Sequence, residues 1–138
     1  MTRAVLDPNV LIAAALAPDG PPADGLRAHA DGRFELIVSE TMLADLAGVL
    51  AREKFRRYLS LAQAERLVAA LRRDAILCAE PGEAPPIRSP DPKDDYLLSL
   101  AHNEHAQVLV TGDAHLLGVR SPTVRIVTPR DFLSLLPS

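Results

Sequence analysis

Several short runs of this chain are apolar at every position rather than at alternate ones. Ala4-Val5-Leu6, Leu36-Ile37-Val38 and Val108-Leu109-Val110 are the clearest. Such strands bury both faces, which is the mark of a parallel sheet covered by helices on both sides. Helical patterns fill the intervals between the runs, so strands and helices alternate. The sequence predicts strands over 2–6, 34–38, 75–79, 108–111 and 124–127. Helices are expected over 9–16, 23–30, from a Ser39 cap to about 51, over 55–59, from a Ser60 cap to 73, and over 94–105, 114–119 and 130–136. The first of these is apolar all round and is expected to be buried. Leu43, Leu46, Val49 and Leu50 form the inner stripe of the third, and Leu67, Val68 and Leu71 that of the fifth. The stretch 80–93 holds five prolines and reads as an irregular loop. With no repeat and no linker composition, residues 1–138 are expected to form one three-layer α/β/α domain.

The isolated acids stand at the ends of apolar runs. Asp7 closes the first strand, and Asp113 follows Val108-Leu109-Val110-Thr111-Gly112. Asp94 and Asp95 open an apolar helix, and Asp45 lies inside Met42-Leu43-Ala44-Asp45-Leu46-Ala47. A carboxylate attached to buried structure is costly unless a cation compensates it. Several converging carboxylates call for a divalent metal, and a metal so held commonly meets phosphate. In open parallel sheets ligands bind beyond the carboxyl ends of the strands, where the strand order reverses. If the first and fourth strands are neighbours there, Asp7 and Asp113 face one crevice. Helix N-termini gather at the same end and bring Asp94, while Asp45 projects from the side of its helix. Each acid alone has an ordinary reading: Asp7 and Asp113 as turn or cap residues, Asp94 as a helix-dipole partner, Asp91-Pro92 as a turn. Their coincidence favours a site.

Aromatic residues are 4% of the chain, so base-stacking platforms are not evident. The formal charge of −3 argues weakly against a nucleic-acid partner. Setting aside Asp7, Asp45, Asp94 and Asp113 leaves 14 acidic against 15 basic residues, so the acidity can be concentrated at one place. Arg52, Lys54, Arg56 and Arg57, and again Arg72-Arg73, offer either a footprint for phosphate or a solvated helix face. The lone Cys78 cannot form an intrachain disulfide and reads as core. His29, His102, His105 and His115 show no metal-ligand spacing and read as surface. A Walker loop, a dinucleotide glycine fingerprint and a Ser-His-Asp pattern are all lacking. No apolar run approaches the roughly 20 residues of a membrane span, and the N-terminus shows no signal-peptide pattern. A cytoplasmic location without membrane contact is the expectation.

With these residues in place the chain resembles a PIN domain, the nuclease fold of VapC-type toxins of bacterial toxin–antitoxin systems. Asp7-Pro8-Asn9-Val10-Leu11 resembles the family's opening Asp-x-Asn-Val-Leu motif. Ser39 with Asp45, Leu46 and Val49-Leu50 resembles the second motif, Asp91-Pro92-Lys93-Asp94-Asp95 through Ala101 the third, and Leu109-Val110-Thr111-Gly112-Asp113 the fourth. Ile126-Val127-Thr128-Pro129 and the closing helix resemble the tail of one toxin-like branch. The resemblance implies a central parallel sheet of about five strands in the order 3-2-1-4-5. It implies a metal-dependent endoribonuclease in which Asp7, Asp45, Asp94 and Asp113 hold Mg²⁺ or Mn²⁺, with Asp95 as an alternative to Asp94. Asn9 and Thr111 would support the acids, and RNA would be the substrate. A cognate antitoxin protein and a homodimer are implied by the same resemblance. The second family acid is usually Glu, one methylene longer than Asp45. That departure leaves open a catalytically weak or inactive PIN-fold interaction protein. A phosphohydrolase using Asp7 as nucleophile is disfavoured, because Pro8-Asn9 lacks the second Asp of such a pair.

Overall fold

The structure, a computed structural model, describes residues 1–81 and 91–137. Five strands form one parallel sheet in the order β3-β2-β1-β4-β5. They are β1 (Arg3–Leu6), β2 (Glu35–Ser39), β3 (Ile76–Cys78), β4 (Val108–Val110) and β5 (Arg125–Val127). Seven α-helices lie between and after them among the described residues: α1 (Pro8–Leu16), α2 (Pro21–Ala30), α3 (Glu40–Leu50), α4 (Leu61–Asp74), α5 (Pro92–Asn103), α6 (Ala114–Leu117) and α7 (Pro129–Leu135). The architecture and strand order are those expected.

Residue alternation divides the core into two. Ala4 and Leu6, Leu36 and Val38, and Val108 and Val110 pack with Val10 and Leu11 of α1, Leu43, Leu46 and Leu50 of α3, Val68 and Leu71 of α4 and Phe132 of α7. Val5, Ile37 and Leu109 pack on the other face with Leu97, Leu98, Leu100 and Ala101 of α5 and Leu116 of α6. Those three residues are also register partners across β2, β1 and β4, so one continuous apolar row crosses the middle of the sheet. Helices on both faces explain why Ala4–Leu6, Leu36–Val38 and Val108–Val110 are apolar throughout, with Arg3, Glu35 and Ser39 only at the strand ends.

Caps fix where several helices begin. Asp7, Asp91 and Thr128 each accept a hydrogen bond from a first-turn amide, and each precedes a proline at the first helical position. There the ring costs no hydrogen bond, since that amide has no helical partner. Ser39 caps α3 through Met42 N (3.2 Å), and Ser60 and Gln63 form a reciprocal capping box on α4.

Several expectations are corrected. The helix expected from 94 begins at Pro92, because Asp91 is its cap rather than a turn residue. The helix expected over 23–30 begins two residues earlier, because Pro21 and Pro22 occupy the first turn of α2. Helix α1 is not buried all round: Val10, Leu11 and Ala14 face the core while Ala13 is exposed. The basic helix expected over 55–59 is a single 3₁₀ turn, Glu53–Phe55, followed by irregular turns. Strand β3 is an edge strand with Leu77 44% exposed, so burial of both faces holds for the central strands and fails here. Cys78 on that edge is half-buried; burial, then the nearby Glu104 carboxylate, pushes its thiol pKa up to about 12. Of the loop expected over 80–93, residues 82–90 lie outside the described residues. Among the described residues no helix is long and apolar enough to cross a membrane.

Candidate active site

Strand order reverses between β1 and β4, and a cavity of about 670 Å³ opens beyond their carboxyl ends. Asp7, Asp45, Asp94 and Asp113 all line it, together with Asn9, Arg52 and Lys93. The four expected acids come from four different elements, and Asp91, the cap of α5, brings a fifth carboxylate to the same concavity.

The acids are not equally buried. Asp7 is 6% and Asp94 4% exposed, Asp113 is intermediate, and Asp45 is exposed. Asp7 follows the last residue of β1, and its amide continues the ladder to Val110 O at 2.9 Å. One carboxylate oxygen, Oδ1, accepts from the Asn9 amide (2.9 Å), and the other, Oδ2, accepts from Thr111 Oγ1 (2.8 Å). Thr111 is fully buried, and its Oγ1 also accepts from the Asp113 amide at 3.0 Å. One hydroxyl thus fixes the Asp7 carboxylate and the backbone that carries Asp113. Asp113 in turn caps α6 through His115 N (2.8 Å). Asp7 and Asp113 are caps and cavity residues together, so the two readings of a strand-end Asp are not exclusive. Asn9 supports Asp7 through its backbone, leaving its exposed side chain at the cavity wall.

Asp94 sits at the third position of α5, one turn inside the Asp91 cap, on the buried side of the helix. Asp95 is half-buried and is not among the cavity-lining residues. Asp45 lies midway along α3, on a face where its neighbours Ala44, Ala47 and Gly48 are also exposed. Its apolar neighbours in sequence misrepresent its environment, because Met42, Leu43 and Leu46 point to the core while Asp45 does not.

The expected basic footprint is dispersed. Arg52 reaches the cavity. Lys54 and Arg57 are exposed over the rings of Phe55 and Tyr58. Arg56 turns back on its own chain, donating to the carbonyls of Leu50 and Arg52 at the end of α3, with its Nε and Nη1 buried. Arg72 pairs with Glu40 and Arg73 with Asp74. Glu40 is thereby occupied away from the acids, and its hydrogen bond to Arg72 holds its pKa below the ordinary carboxylate value.

Two features at the cavity escaped the sequence reading. Lys93 adds a second cation to the lining beside Arg52. Tyr96, read as one more apolar residue of α5, joins its hydroxyl to Ser39 Oγ and to Glu80 Oε2, while Glu80 Oε1 accepts from the Thr41 amide at 3.1 Å. The signal was present, since a half-buried tyrosine hydroxyl requires a polar partner.

The donor chemistry fits a hard divalent cation, which takes carboxylate oxygens and water. Among the described residues no three His, Cys, Asp or Glu side chains stand close enough to form a ready-made metal cluster. Magnesium is nevertheless commonly held by one or two carboxylates, with waters and substrate phosphate completing the shell. Asp7 and Asp94 are the two carboxylates buried in the cavity wall.

An α/β domain with an acid-lined switch-point cavity is the class defined by this geometry. Residues 3–115 match the PIN domain family, and the chain belongs to it. PIN domains are generally nucleases. Among solved structures, the chain is similar to the PIN domain of T. brucei RRP44 at 16% identity and a TM-score of 0.45, covering 96% of this chain and 79% of that one. No curated protein sequence matches the chain.

Proposed function

We infer that this PIN domain is a divalent-metal-dependent endoribonuclease and acts as the toxin of a toxin–antitoxin pair. The single observation that carries the nuclease reading is the convergence of Asp7, Asp45, Asp94 and Asp113, from four elements, on one cavity at the sheet's switch point. The toxin role rests on the resemblance of the motifs to VapC-type proteins. It carries with it a small antitoxin that blocks the acidic cavity, a homodimer and a cytoplasmic setting.

Asp7 and Asp94 would hold Mg²⁺ or Mn²⁺, with Asp113 and Asp45 completing the set directly or through water. Such an ion supplies an activated water and neutralises charge on the phosphate undergoing displacement. The chain's own residues do the positioning. Thr111 fixes one Asp7 oxygen and the Asn9 amide the other, so both are oriented while the residue lines the cavity. The Thr111–Asp113 bond sets the separation of the first and fourth acids. Arg52 and Lys93 line the same cavity and would offset the repulsion between RNA phosphates and the acids.

The test is cleavage of a mixed RNA pool by purified protein with Mg²⁺ or Mn²⁺, with EDTA, and with Asp7→Ala. Cleavage that needs the metal and vanishes in the variant is the expected result. Cleavage retained by Asp7→Ala would overturn the assignment. Mn²⁺ binding without cleavage of any RNA would favour a non-catalytic interaction protein, the reading to which the short and exposed Asp45 lends some weight.

A further inference from the structure

Three hydrogen bonds beside the cavity join parts of the chain that carry different acids. Tyr96 lies on α5, two residues beyond Asp94, and its hydroxyl bonds Ser39 Oγ, the cap of the helix that carries Asp45. The same hydroxyl donates to Glu80 Oε2, just past β3, and Glu80 Oε1 accepts from Thr41 N in the first turn of α3. Ser39 Oγ is already committed to the Met42 amide, so the cap and the tyrosine share one oxygen. Tyr96, Thr41 and Met42 line the cavity; Glu80 is not among the lining residues. Glu80 is thus a carboxylate close to the site that is turned to the scaffold. Its pKa lies below the ordinary carboxylate value: burial opposes this, and the bonds from Tyr96 and Thr41 overcome it.

The consequence is geometric. Strands β1 and β4 pair directly, so the sheet sets the positions of Asp7 and Asp113. Asp45 and Asp94 stand on two helices, and α3 and α5 contribute mainly to opposite core clusters. Among the α3 residues only Met42 joins the core cluster of α5, an apolar contact without direction, and beside it the Tyr96 hydroxyl adds a directional tie between the two helix starts. Resting on the metal-dependent nuclease reading, we propose that Tyr96 and Glu80 form a clamp that positions Asp45 against Asp94, acting on the metal site without touching metal or RNA.

Tyr96→Phe removes only the hydroxyl, and Glu80→Gln weakens the clamp from an exposed position that leaves folding intact. Residues that orient metal ligands from behind typically change metal affinity or turnover by about 10- to 100-fold when altered. Each variant should bind Mn²⁺ about tenfold more weakly, read by electron paramagnetic resonance on RNA-free protein. Turnover on the RNA pool should fall by a similar factor with the apparent KM unchanged. The double variant should be no worse than either single one, since both break the same chain of bonds. Several outcomes overturn the clamp. A raised KM in Tyr96→Phe with no effect of Glu80→Gln would make Tyr96 an RNA contact. A lowered Tm with unchanged Mn²⁺ affinity would make the network merely structural. Wild-type protein that binds and cleaves normally while both variants match it refutes the clamp alone. Wild-type protein that neither binds Mn²⁺ nor cleaves removes the clamp together with the nuclease reading.

Discussion

Thr111→Val tests the joint between the first and fourth acids at nearly constant volume. The threonine is fully buried, so valine fills the same space and the loss is that of the hydroxyl. Two bonds disappear: the 2.8 Å bond to Asp7 Oδ2 and the 3.0 Å bond from the Asp113 amide. A hydrogen bond to a charged group contributes about 1.5–3 kcal/mol. The orphaned amide of half-exposed Asp113 adds up to about 1 kcal/mol, because water reaches that loop in part. The expected loss is about 2–4 kcal/mol, or a fall in Tm of roughly 6–15 °C for a domain of this size. Thr111→Ser keeps the hydroxyl and gives up one methyl, at about 1 kcal/mol. Urea denaturation of the three proteins at pH 7 measures this, with an unchanged m-value as the check on two-state behaviour. Metal-dependent cleavage should follow the hydroxyl, retained by serine and lost with valine. A valine variant within about 0.5 kcal/mol of wild type would refute the reasoning, because substitutions of that size are what unremarkable surface sites show.

Three further outcomes are expected. Leu46 is fully buried between α3 and the sheet, so Leu46→Ala should cost about 2–5 kcal/mol by urea denaturation, and a smaller loss would mean that the core collapses around the gap. His29 is half-buried against the Phe34 ring, and burial lowers its pKa below the ordinary 6.5 against the opposing pull of Asp74. The fold therefore favours neutral His29: its contribution is present above 6.5 and is lost as pH falls through the lowered value, and His29→Gln should lessen the acid-side decline between pH 7 and 5. Asp45 is exposed and has room for another methylene, so Asp45→Glu should tighten Mn²⁺ binding several-fold, and weaker binding would remove Asp45 from the metal set.

Much of the site was legible because its acids interrupt apolar runs at strand ends. Asp7 and Asp113 could be placed without coordinates: a strand ends where its apolar run ends, and carboxyl ends of parallel strands lie together. Asp45 was harder. Its sequence neighbours are apolar, but helical geometry turns Leu43 and Leu46 inward and Asp45 outward, so sequence adjacency overstated its burial. The start of α5 was misplaced by two residues because Asp91-Pro92 serves equally as a turn and as a cap followed by a first helical proline. Arg56 looked like a free cation, yet its Nη2 turns back to the carbonyls of Leu50 and Arg52 and its Nε and Nη1 are buried.

The sequence by itself determined the layers, the parallel sheet and the candidate acids, because hydrophobic periodicity and capping are properties of a few neighbouring residues. Only the tertiary structure decided which long-range partners hold the acids. Thr111 meets Asp7 across 104 positions, and Tyr96 meets Ser39 across 57. The physical reason is that a side-chain hydrogen bond depends on the relative placement of two elements to within a few tenths of an ångström. That placement is set by core packing over the whole domain, which no local pattern encodes.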